Sequence, residues 1–479
     1  MPLSGRAIRP AVAVVAAAAV AAAWLVPAGA DKSRTSSRSG PAVAHRSGGK
    51  RVTAGGKRPV AVFQRVGFPA GEPTLAVTKK GDLFFPSIDT SRANHVELLR
   101  STDDGESWDV ASPALAGVNS HPISLDPYVY ADRATSRVFN IDLTVACSIL
   151  SFTDDGGKTW TTNPLACGRP VNDHQTLFSG PPVSSPTFDY PNVVYYCWND
   201  VASSSCSKSL DGGITFSPTG SPAFTGVQPG SGNDEGQASF CGGLHGHGVV
   251  DRRGWVYLPK ESCLRPWLAI SRDEGRTWEN IRVSDIPAGD GLLDPSVDVD
   301  GKGNIYYAWT GGDRRVRLTV SRDAGKSWSN PVIADAPGVR EANLATLDVG
   351  APGKVAIAYM GSENSPWRYG CDDDCPRGDD YLSATWNGYV TITTQALEKN
   401  PVFLSTRVNP NKDPLMRGTC GPGRCKTVFD FIDTVIAPDG TPYATFVDGC
   451  VGVCSKPNGA ASVGEDGVVV RLVGGPPLR

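Results

Sequence analysis

Short alternating runs of apolar residues, separated by turns, recur along most of the chain. In residues 294–328, Val297 and Val299 open one run, a Gly turn follows, and two further runs cover 305–309 and 316–320. Period-two runs between turn residues are typical of successive antiparallel strands. The same order of runs begins near residues 72, 126, 174, 245, 294, 341 and 430.

An acidic octapeptide follows the third run in five of these units. Its copies are STDDGESW (101–108), TDDGGKTW (153–160), SLDGGITF (209–216), SRDEGRTW (271–278) and SRDAGKSW (321–328). The Asp can accept bonds from turn N–H groups, and the Gly allows a positive φ. A lone small sheet cannot bury both faces, so repeats of three or four strands predict an all-β fold, a β-propeller. We count about seven blades, or six if the last unit only completes another blade, and expect a strand at 58–66 to close the ring.

The octapeptide resembles the Asp-box, or bacterial neuraminidase repeat, of sialidase-like propellers, and the resemblance covers most of residues 60–472. In that family the box lies on the rim away from the active face, which implies structural roles for Asp103, Asp155, Asp211, Asp273 and Asp323. The resemblance also implies an acid/base Asp before the first box, for which Asp89 is the candidate. Arginines that bind the substrate carboxylate are implied too. The family's first-blade arginine is replaced by Gly71, and no motif selects among Arg252, Arg265, Arg314, Arg315, Arg340 and Arg368; Arg340 is carried forward as a substrate-binding candidate.

One titratable residue stands just ahead of nearly every innermost strand. These residues are Glu72, Asp126, His174, His245, Asp294, Glu341 and Asp430. Equivalent positions around a ring should converge on the mouth of the central channel. The five carboxylates are candidate catalytic acids and bases, and the two histidines are candidates for substrate binding. Two alternatives stay open: a ring that holds Ca²⁺, and a hydrated channel whose carboxylates bind backbone N–H groups. The sequence establishes no cofactor, and Ca²⁺ is the candidate.

Twelve cysteines indicate disulfides in an exported protein. Pairing of sequence neighbours gives Cys147–Cys167, Cys197–Cys206, Cys241–Cys263, Cys371–Cys375, Cys420–Cys425 and Cys450–Cys454. All twelve are expected in loops on the propeller face that carries the ring of titratable residues. Residues 1–30 read as a secretory signal, residues 31–58 as a disordered basic linker, and residues 59–479 as a single propeller domain. We therefore expect an extracellular, secreted monomer without stable membrane insertion after signal cleavage.

The charge distribution excludes one class of partner. Residues 1–58 contain ten of the 46 basic residues but one of the 49 acidic residues, so the propeller itself is acidic. An acidic domain is a poor candidate for nucleic-acid binding.

Two functions remain, and both favour a glycan ligand. The first is an exo-glycosidase resembling an exo-α-sialidase, with the ring carboxylates as acid and base. The second is a noncatalytic extracellular propeller that binds a glycan, a cation or a protein. Trp367, in the long loop MGSENSPWRYGCDDDCPRGDD, would then serve as a platform for a sugar ring.

Overall fold

The computed structural model describes most of the chain from residue 36 to residue 479. The residues outside the description are 1–35, 54, 114–123, 125, 144–147, 164–172, 201–202, 226, 229–238, 241–242, 290–293, 372–375, 377, 420–429, 451–453 and 455–463. The predicted signal therefore lies outside the described residues. Among the described residues no helix is long and apolar enough to cross a membrane.

The chain begins with strands that belong to sheets formed by its C-terminal part. These are β1 (Ser37–Arg38), β2 (Val43–Arg46), β3 (Lys50–Arg51) and β4 (Val60–Pro69). Single 3₁₀ turns occur at Ser47–Gly49, Thr90–Arg92 and Gly378–Tyr381.

The next three sheets are each built from four consecutive strands. Sheet 1 contains β5 (Ala76–Val77), β6 (Leu83–Asp89), β7 (His95–Ser101) and β8 (Asp109–Val110). Sheet 2 contains β9 (Pro127–Ala131), β10 (Val138–Leu143), β11 (Ser148–Thr153) and β12 (Thr161–Asn163). Sheet 3 contains β13 (Asp173–Gly180), β14 (Val193–Asn199), β15 (Ser204–Ser209) and β16 (Ser217–Pro218).

Sheets 4 to 6 repeat this order after a separate hairpin of β17 (Val227–Gln228) and β18 (Ser239–Phe240). Sheet 4 contains β19 (Val249–Val250), β20 (Val256–Ser262), β21 (Arg265–Ser271) and β22 (Glu279–Arg282). Sheet 5 contains β23 (Ser296–Val299), β24 (Ile305–Thr310), β25 (Val316–Ser321) and β26 (Val332–Ile333). Sheet 6 contains β27 (Glu341–Val349), β28 (Val355–Ser362), β29 (Thr385–Thr393) and β30 (Phe403–Arg407), with β31 (Met416–Arg417) paired to β29.

Sheet 7 joins the two ends of the chain. Its strands β32 (Thr434–Ile436), β33 (Pro442–Asp448) and β34 (Asp466–Val473) are followed in the sheet by β4 and then β1. Strand β34 pairs antiparallel with β4 from Asp466↔Pro69 to Val473↔Val60. The prediction that an N-terminal strand closes the ring is confirmed, as is the prediction of an all-β propeller.

Burial follows the order of strands within each sheet. The second strands, such as β24 with sequence IYYAWT, are buried along their whole length, whereas the fourth strands β8 and β16 are exposed. Stacked sheets cover both faces of a second strand, so its sequence is a nearly continuous apolar run. The core consequently lies between neighbouring sheets, as in the cluster of Tyr306, Leu318 and Phe403.

Side chains link several innermost strands to the innermost strand of the next sheet. Asp298 Oδ2 accepts from Val349 N at 2.8 Å, and Asp348 Oδ2 accepts from Ile436 N at 2.6 Å. Asp433 Oδ2 accepts from Leu75 N at 2.9 Å, which connects sheet 7 to sheet 1. These bonds occupy backbone donors that the strand ladders leave unpaired.

The segment predicted as a disordered linker differs from the prediction from residue 36 onward. Strand β1 extends sheet 7, and β2 pairs with β30 at the edge of sheet 6. Ala42, Ala44 and His45 are buried, and the His45 ring stacks on Phe403. Small residues and one aromatic ring bury enough surface here to order a segment whose composition is otherwise polar.

The octapeptides form hydrogen-bonded turns between the third and fourth strands. In the fourth copy Asp273 accepts from Thr277 N at 2.9 Å and from Thr277 Oγ1 at 2.7 Å, while Ser271 Oγ accepts from Gly275 N. The corresponding contacts recur at Asp103, Asp155, Asp211 and Asp323. In an antiparallel sheet these turns share a face with the first-to-second strand turns, so the octapeptides lie on the face opposite the starts of the innermost strands.

Two of the predicted disulfides are present. Cys197 is bonded to Cys206 across the β14–β15 hairpin, and Cys450 is bonded to Cys454 in the loop before β34. Cys263 and Cys371 are also disulfide-bonded. The predicted pairs that involve Cys147, Cys167, Cys241, Cys375, Cys420 and Cys425 fall on residues outside the described ones.

Candidate functional site

The bonds between innermost strands define which residues are equivalent around the ring. The side chains of Thr74, Thr176 and Ser296 each accept a hydrogen bond from a backbone N–H of the next sheet, and they lie at the same height along the channel. Asp433 makes the corresponding bond from sheet 7. The residues two positions earlier in the sequence form what we call the upper ring. They are Glu72, Asp126, His174, His245, Asp294, Leu344 and Phe431. Five of the seven predicted ring residues therefore occupy equivalent positions. Glu341 and Asp430 differ from the prediction, because the equivalent residues are Leu344 and Phe431.

A β-bulge accounts for the shift in sheet 6. The pairing of β27 with β28 changes register between Asn343 and Thr346, and Leu344 has a φ of 55°. Sheet 3 has the matching irregularity between Asp173 and Thr176, with a φ of 55° at His174. Both bulges turn one side chain toward the channel mouth.

His174 is at the centre of a buried cluster of ionisable groups, the channel-mouth cluster. Its Nε2 lies 3.1 Å from Asp294 Oδ2, and its Nδ1 lies 3.0 Å from the carbonyl oxygen of His245. Because a carbonyl only accepts, Nδ1 carries a proton and donates it. The ring of His174 also packs edge-on against Phe431 at 5.3 Å.

Four more carboxyl groups complete the cluster: Glu72, Asp126, Asp173 and Asp430. Glu72 bonds to the side chain of Asp126, and Glu72 Oε1 accepts from the backbone N–H of Asp430 at 3.2 Å. The charges of Asp430, Asp173 and Asp126 act on His174 along with that of Asp294. Asp430 is therefore part of the cluster although it is not at a ring position.

Several polar atoms of this cluster have no hydrogen-bond partner among the described residues. They are His245 Nε2, His247 Nε2 and Asp294 Oδ1. His174 Nε2 and Asp294 Oδ2 face each other as the ion pair given above and have no further partner among the described residues. His174 is 3 % exposed, so solvent does not serve these atoms directly. A cavity of about 20 Å³ borders Asp294, Asp430, His247 and Phe431, which is room for one water molecule. Buried polar groups without partners are uncommon and point to a bound water or ligand.

The environment separates the acidities of the carboxyl groups. Burial raises the pKa of Asp294 to about 8, and the charge of His174 only partly opposes this. Burial, reinforced by Asp173, raises the pKa of Asp126 to about 6. For His174, burial lowers the pKa, but Asp294 and the other carboxylates outweigh it and the net shift is upward. Near pH 7 the pair of His174 and Asp294 thus retains a proton, whereas Asp126 is largely ionised.

His245 and its neighbours differ from His174 in charge. Burial, the charge of His174 and the nearby Lys260 hold the pKa of His245 well below its ordinary value. Burial also lowers the pKa of His247 to about 3. His174 is thus the one histidine of these three whose pKa is raised, because the surrounding carboxyl groups favour its charged form.

Two predicted site residues from sheet 6, Glu341 and Trp367, belong to a separate group of side chains around its long loop. Glu341 accepts a short hydrogen bond from Ser365 Oγ, and Trp367 N donates to the same hydroxyl oxygen at 3.1 Å. The Trp367 ring lies 6.3 Å from that of Tyr369 and beneath the guanidinium of Arg314. This loop is held in place by a buried carboxylate.

Asp89 and Arg340 also lie apart from the cluster. Asp89 caps the turn after β6, where it accepts from Ser91 N at 3.1 Å and from Ser91 Oγ at 2.6 Å. Arg340 is exposed, and its backbone N–H donates to Ser362 O at 2.9 Å.

The other candidate arginines are dispersed. Arg315 pairs with Asp335, Arg265 donates to the carbonyl of Asp285, and Arg252 borders the opposite end of the channel. Arg65, close in sequence to the family's first-blade arginine position, is bound to Asp448 at 2.5 Å. Within the described residues, no group of three or more His, Cys, Asp or Glu side chains is arranged to hold a metal ion.

Sequence reasoning did not place Asp173 and Phe431 in the site, and it named His247 only as a neighbour of His245 that could face the same side of a strand. His247 and Phe431 pack together at 5.0 Å on the channel side of the cluster. His247 carried a signal, since it stands two residues after His245 and so on the same side of the strand. Phe431 carried none, because an aromatic residue at a strand start is ordinary core composition.

Comparison with known proteins places the chain by fold alone. No protein-family model and no curated protein matches it. Solved structures of similar fold include a protein of unknown function from Dyadobacter fermentans, at 13 % identity and a TM-score of 0.41, over 85 % of this chain and 94 % of that one. The Aleuria aurantia lectin, crystallised with a fucosylated GlcNAc, has 10 % identity and a TM-score of 0.41, over 71 % and 97 % of the two chains. The intramolecular trans-sialidase of Ruminococcus gnavus has 12 % identity and a TM-score of 0.39, over 83 % and 93 %. At these values the likenesses carry no argument about function.

Proposed function

We propose that the protein is a secreted, sialidase-like propeller that hydrolyses a glycoside at the mouth of its central channel. The observation that carries this proposal is the channel-mouth cluster, in which His174 and Asp294 are buried with unused polar atoms. Structural ion pairs of a fold normally have their hydrogen-bonding capacity filled, as Glu274 does with Lys208 and three backbone N–H groups.

The roles follow from the separated acidities. Asp294, with its pKa raised to about 8, would hold the proton that a leaving-group oxygen needs. Asp126, with a pKa of about 6, would be the base that activates water. His174 would orient Asp294, and Glu72 would orient Asp126. Environments that separate the pKa values of two carboxyl groups in this way are typical of glycoside hydrolases.

The test is hydrolysis of a panel of aryl glycosides, including the sialoside, by the purified secreted protein. D294N and D126N should each lower kcat on the order of 10²–10⁴-fold, the usual contribution of a general acid or base. D298N is the matched control, because Asp298 is buried in the same strand four residues further on. No turnover of any sugar, or full activity in D294N and D126N, would overturn the proposal. Loss of activity in D89N alone would move the site to the position that the family resemblance implies.

A noncatalytic glycan-binding propeller is the second candidate. It is favoured by the long loop of sheet 6, where Tyr369 is 71 % exposed beside Trp367. Aromatic faces of this kind stack on sugar rings. On a glycan array, W367A would then lose binding while D294N keeps it. The reverse pattern would favour the channel mouth.

A further inference from the structure

The central channel widens on the face opposite the channel-mouth cluster. Its cavity there has a volume of about 430 Å³ and is lined by innermost-strand residues of all seven sheets. That volume lies within the range of small-molecule sites. Nothing in the proposed function uses this end of the channel.

The cavity combines apolar walls with cationic side chains at its rim. Val77, Val249, Val297 and Val435 contribute to the wall. Arg133 and Arg252 come from the turns after the innermost strands of sheets 2 and 4, at the open end.

The guanidinium of Arg133 is held by one ion pair and retains further hydrogen-bond donors. Its Nη2 lies 2.6 Å from Asp348 Oδ2, and the same oxygen accepts from Ile436 N. The side chain of Arg133 is nevertheless 49 % exposed. A guanidinium has five N–H donors, so the ion pair leaves donors for a second anion.

Arg252 makes no hydrogen bond or ion pair within the described part of the chain, and its position depends on a glycine. A Cβ added at Gly301 would come within 2.9 Å of the guanidinium carbon of Arg252. Gly301 does not have a positive φ, so the turn does not require glycine for its backbone conformation. The absence of a side chain at residue 301 instead makes room for the guanidinium.

The carboxyl groups at this end are paired or buried, and none of them pairs with Arg252. Burial and the neighbouring Asp348 hold the pKa of Asp298 well above its ordinary range, and burial raises the pKa of Asp433 to about 7. Asp251 is paired with Arg253 at 2.5 Å. Asp132 also borders the cavity, and its carboxylate accepts from Tyr190 Oη at 2.6 Å and Asn192 Nδ2 at 2.8 Å. Among the described residues of this rim, Arg252 is therefore a cation that no carboxylate pairs with.

We infer that this cavity binds a small organic anion with an apolar body, whose carboxylate or phosphate head is bound by Arg133 and Arg252 and whose body lies along the valines of the wall. Charge-assisted bonds from guanidinium groups favour both head groups, and the apolar wall favours a short alkyl or similar chain.

The test is isothermal titration calorimetry of the full protein with four probes: octanoate, octyl phosphate, octylammonium and octyl glucoside. Both anions, or one of them, should bind, and the tighter one identifies the head group. R252A should weaken anion binding about tenfold, the equivalent of one charge-assisted hydrogen bond. G301A changes no charge and should weaken binding less, because the guanidinium of Arg252 can shift away from an added Cβ.

R282A, on the exposed outer strand of sheet 4, is the matched control and should bind like the wild type. Equal binding of octylammonium or octyl glucoside would overturn the inference, as would anion binding that R252A does not weaken. Absence of anion binding would overturn it as well. This test measures binding at the cavity opposite the channel-mouth cluster, so failure of the hydrolysis test leaves its result unaffected.

Discussion

At the scale of single residues, the account depends on the proton held between His174 and Asp294. Five of the upper-ring residues could be placed from the sequence, since each is a titratable residue just ahead of an innermost run. Glu341 could not, because a bulge between Asn343 and Thr346 changes the register without leaving a mark in the sequence. In sheet 7 the equivalent residue is Phe431, one position after the predicted Asp430. The burial that sets the acidities also depends on Phe431 and His247, which contribute no charge that a sequence pattern would reveal.

The shared proton predicts how stability depends on pH. The folded pKa of Asp294, about 8, lies above its ordinary value of 3.8, so between these pH values the folded state binds more protons than the unfolded state. The free energy of unfolding should therefore fall as pH rises from about 4 to about 8. His174 acts in the same direction, because its pKa is also raised and its contribution is lost as pH rises through the folded value. Urea unfolding at pH 5 and pH 8 should show a drop that is smaller in D294N, with a difference on the order of 2 kcal/mol.

D439N serves as the control for this measurement. Asp439 caps an exposed turn through Thr441, far from the cluster, and the variant should keep the wild-type dependence on pH. Identical slopes in wild type, D294N and D439N would show that Asp294 does not hold the proton.

At the scale of elements, the octapeptide turns and the N-terminal strands show what a pattern can and cannot predict. The turns were predictable, because five copies repeat the same Asp, Gly and hydroxyl residues at fixed spacing. Strands β1 to β3 were not, because they have only two to four residues each and a polar composition. These strands form because they pair with β4 and β30, which lie more than twenty residues away along the chain.

The octapeptide turns should affect stability without affecting the chemistry. D273A removes the acceptor of Thr277 N and Oγ1 and of Ser271 Oγ. Because the turn is partly exposed, we expect a loss of about 1–2 kcal/mol in the free energy of unfolding. Measured by urea denaturation beside kcat at saturating substrate, stability should fall and kcat should stay within twofold of wild type. A large loss of kcat with unchanged stability would assign the turn a role in catalysis.

At the scale of the whole molecule, the innermost strands divide the channel into two ends of different chemistry. One end holds the carboxylates and the imidazolium of the channel-mouth cluster, and the other holds the guanidinium groups of Arg133 and Arg252. The propeller and its closure could be predicted from repeat spacing and the position of an apolar segment at 58–66. The difference between the two ends could not, because it depends on which buried carboxyl groups are neutral, and neutrality follows from packing.

The pH dependence of kcat/KM on the best aryl glycoside tests the central claim most directly. The account predicts a bell-shaped profile, with an acidic limb near pH 6 from Asp126 and a basic limb near pH 8 from Asp294. D126N should remove the acidic limb of the residual activity, and D294N should remove the basic limb. A profile whose limbs are unchanged in both variants would contradict the assignment of the channel-mouth cluster as the site of chemistry.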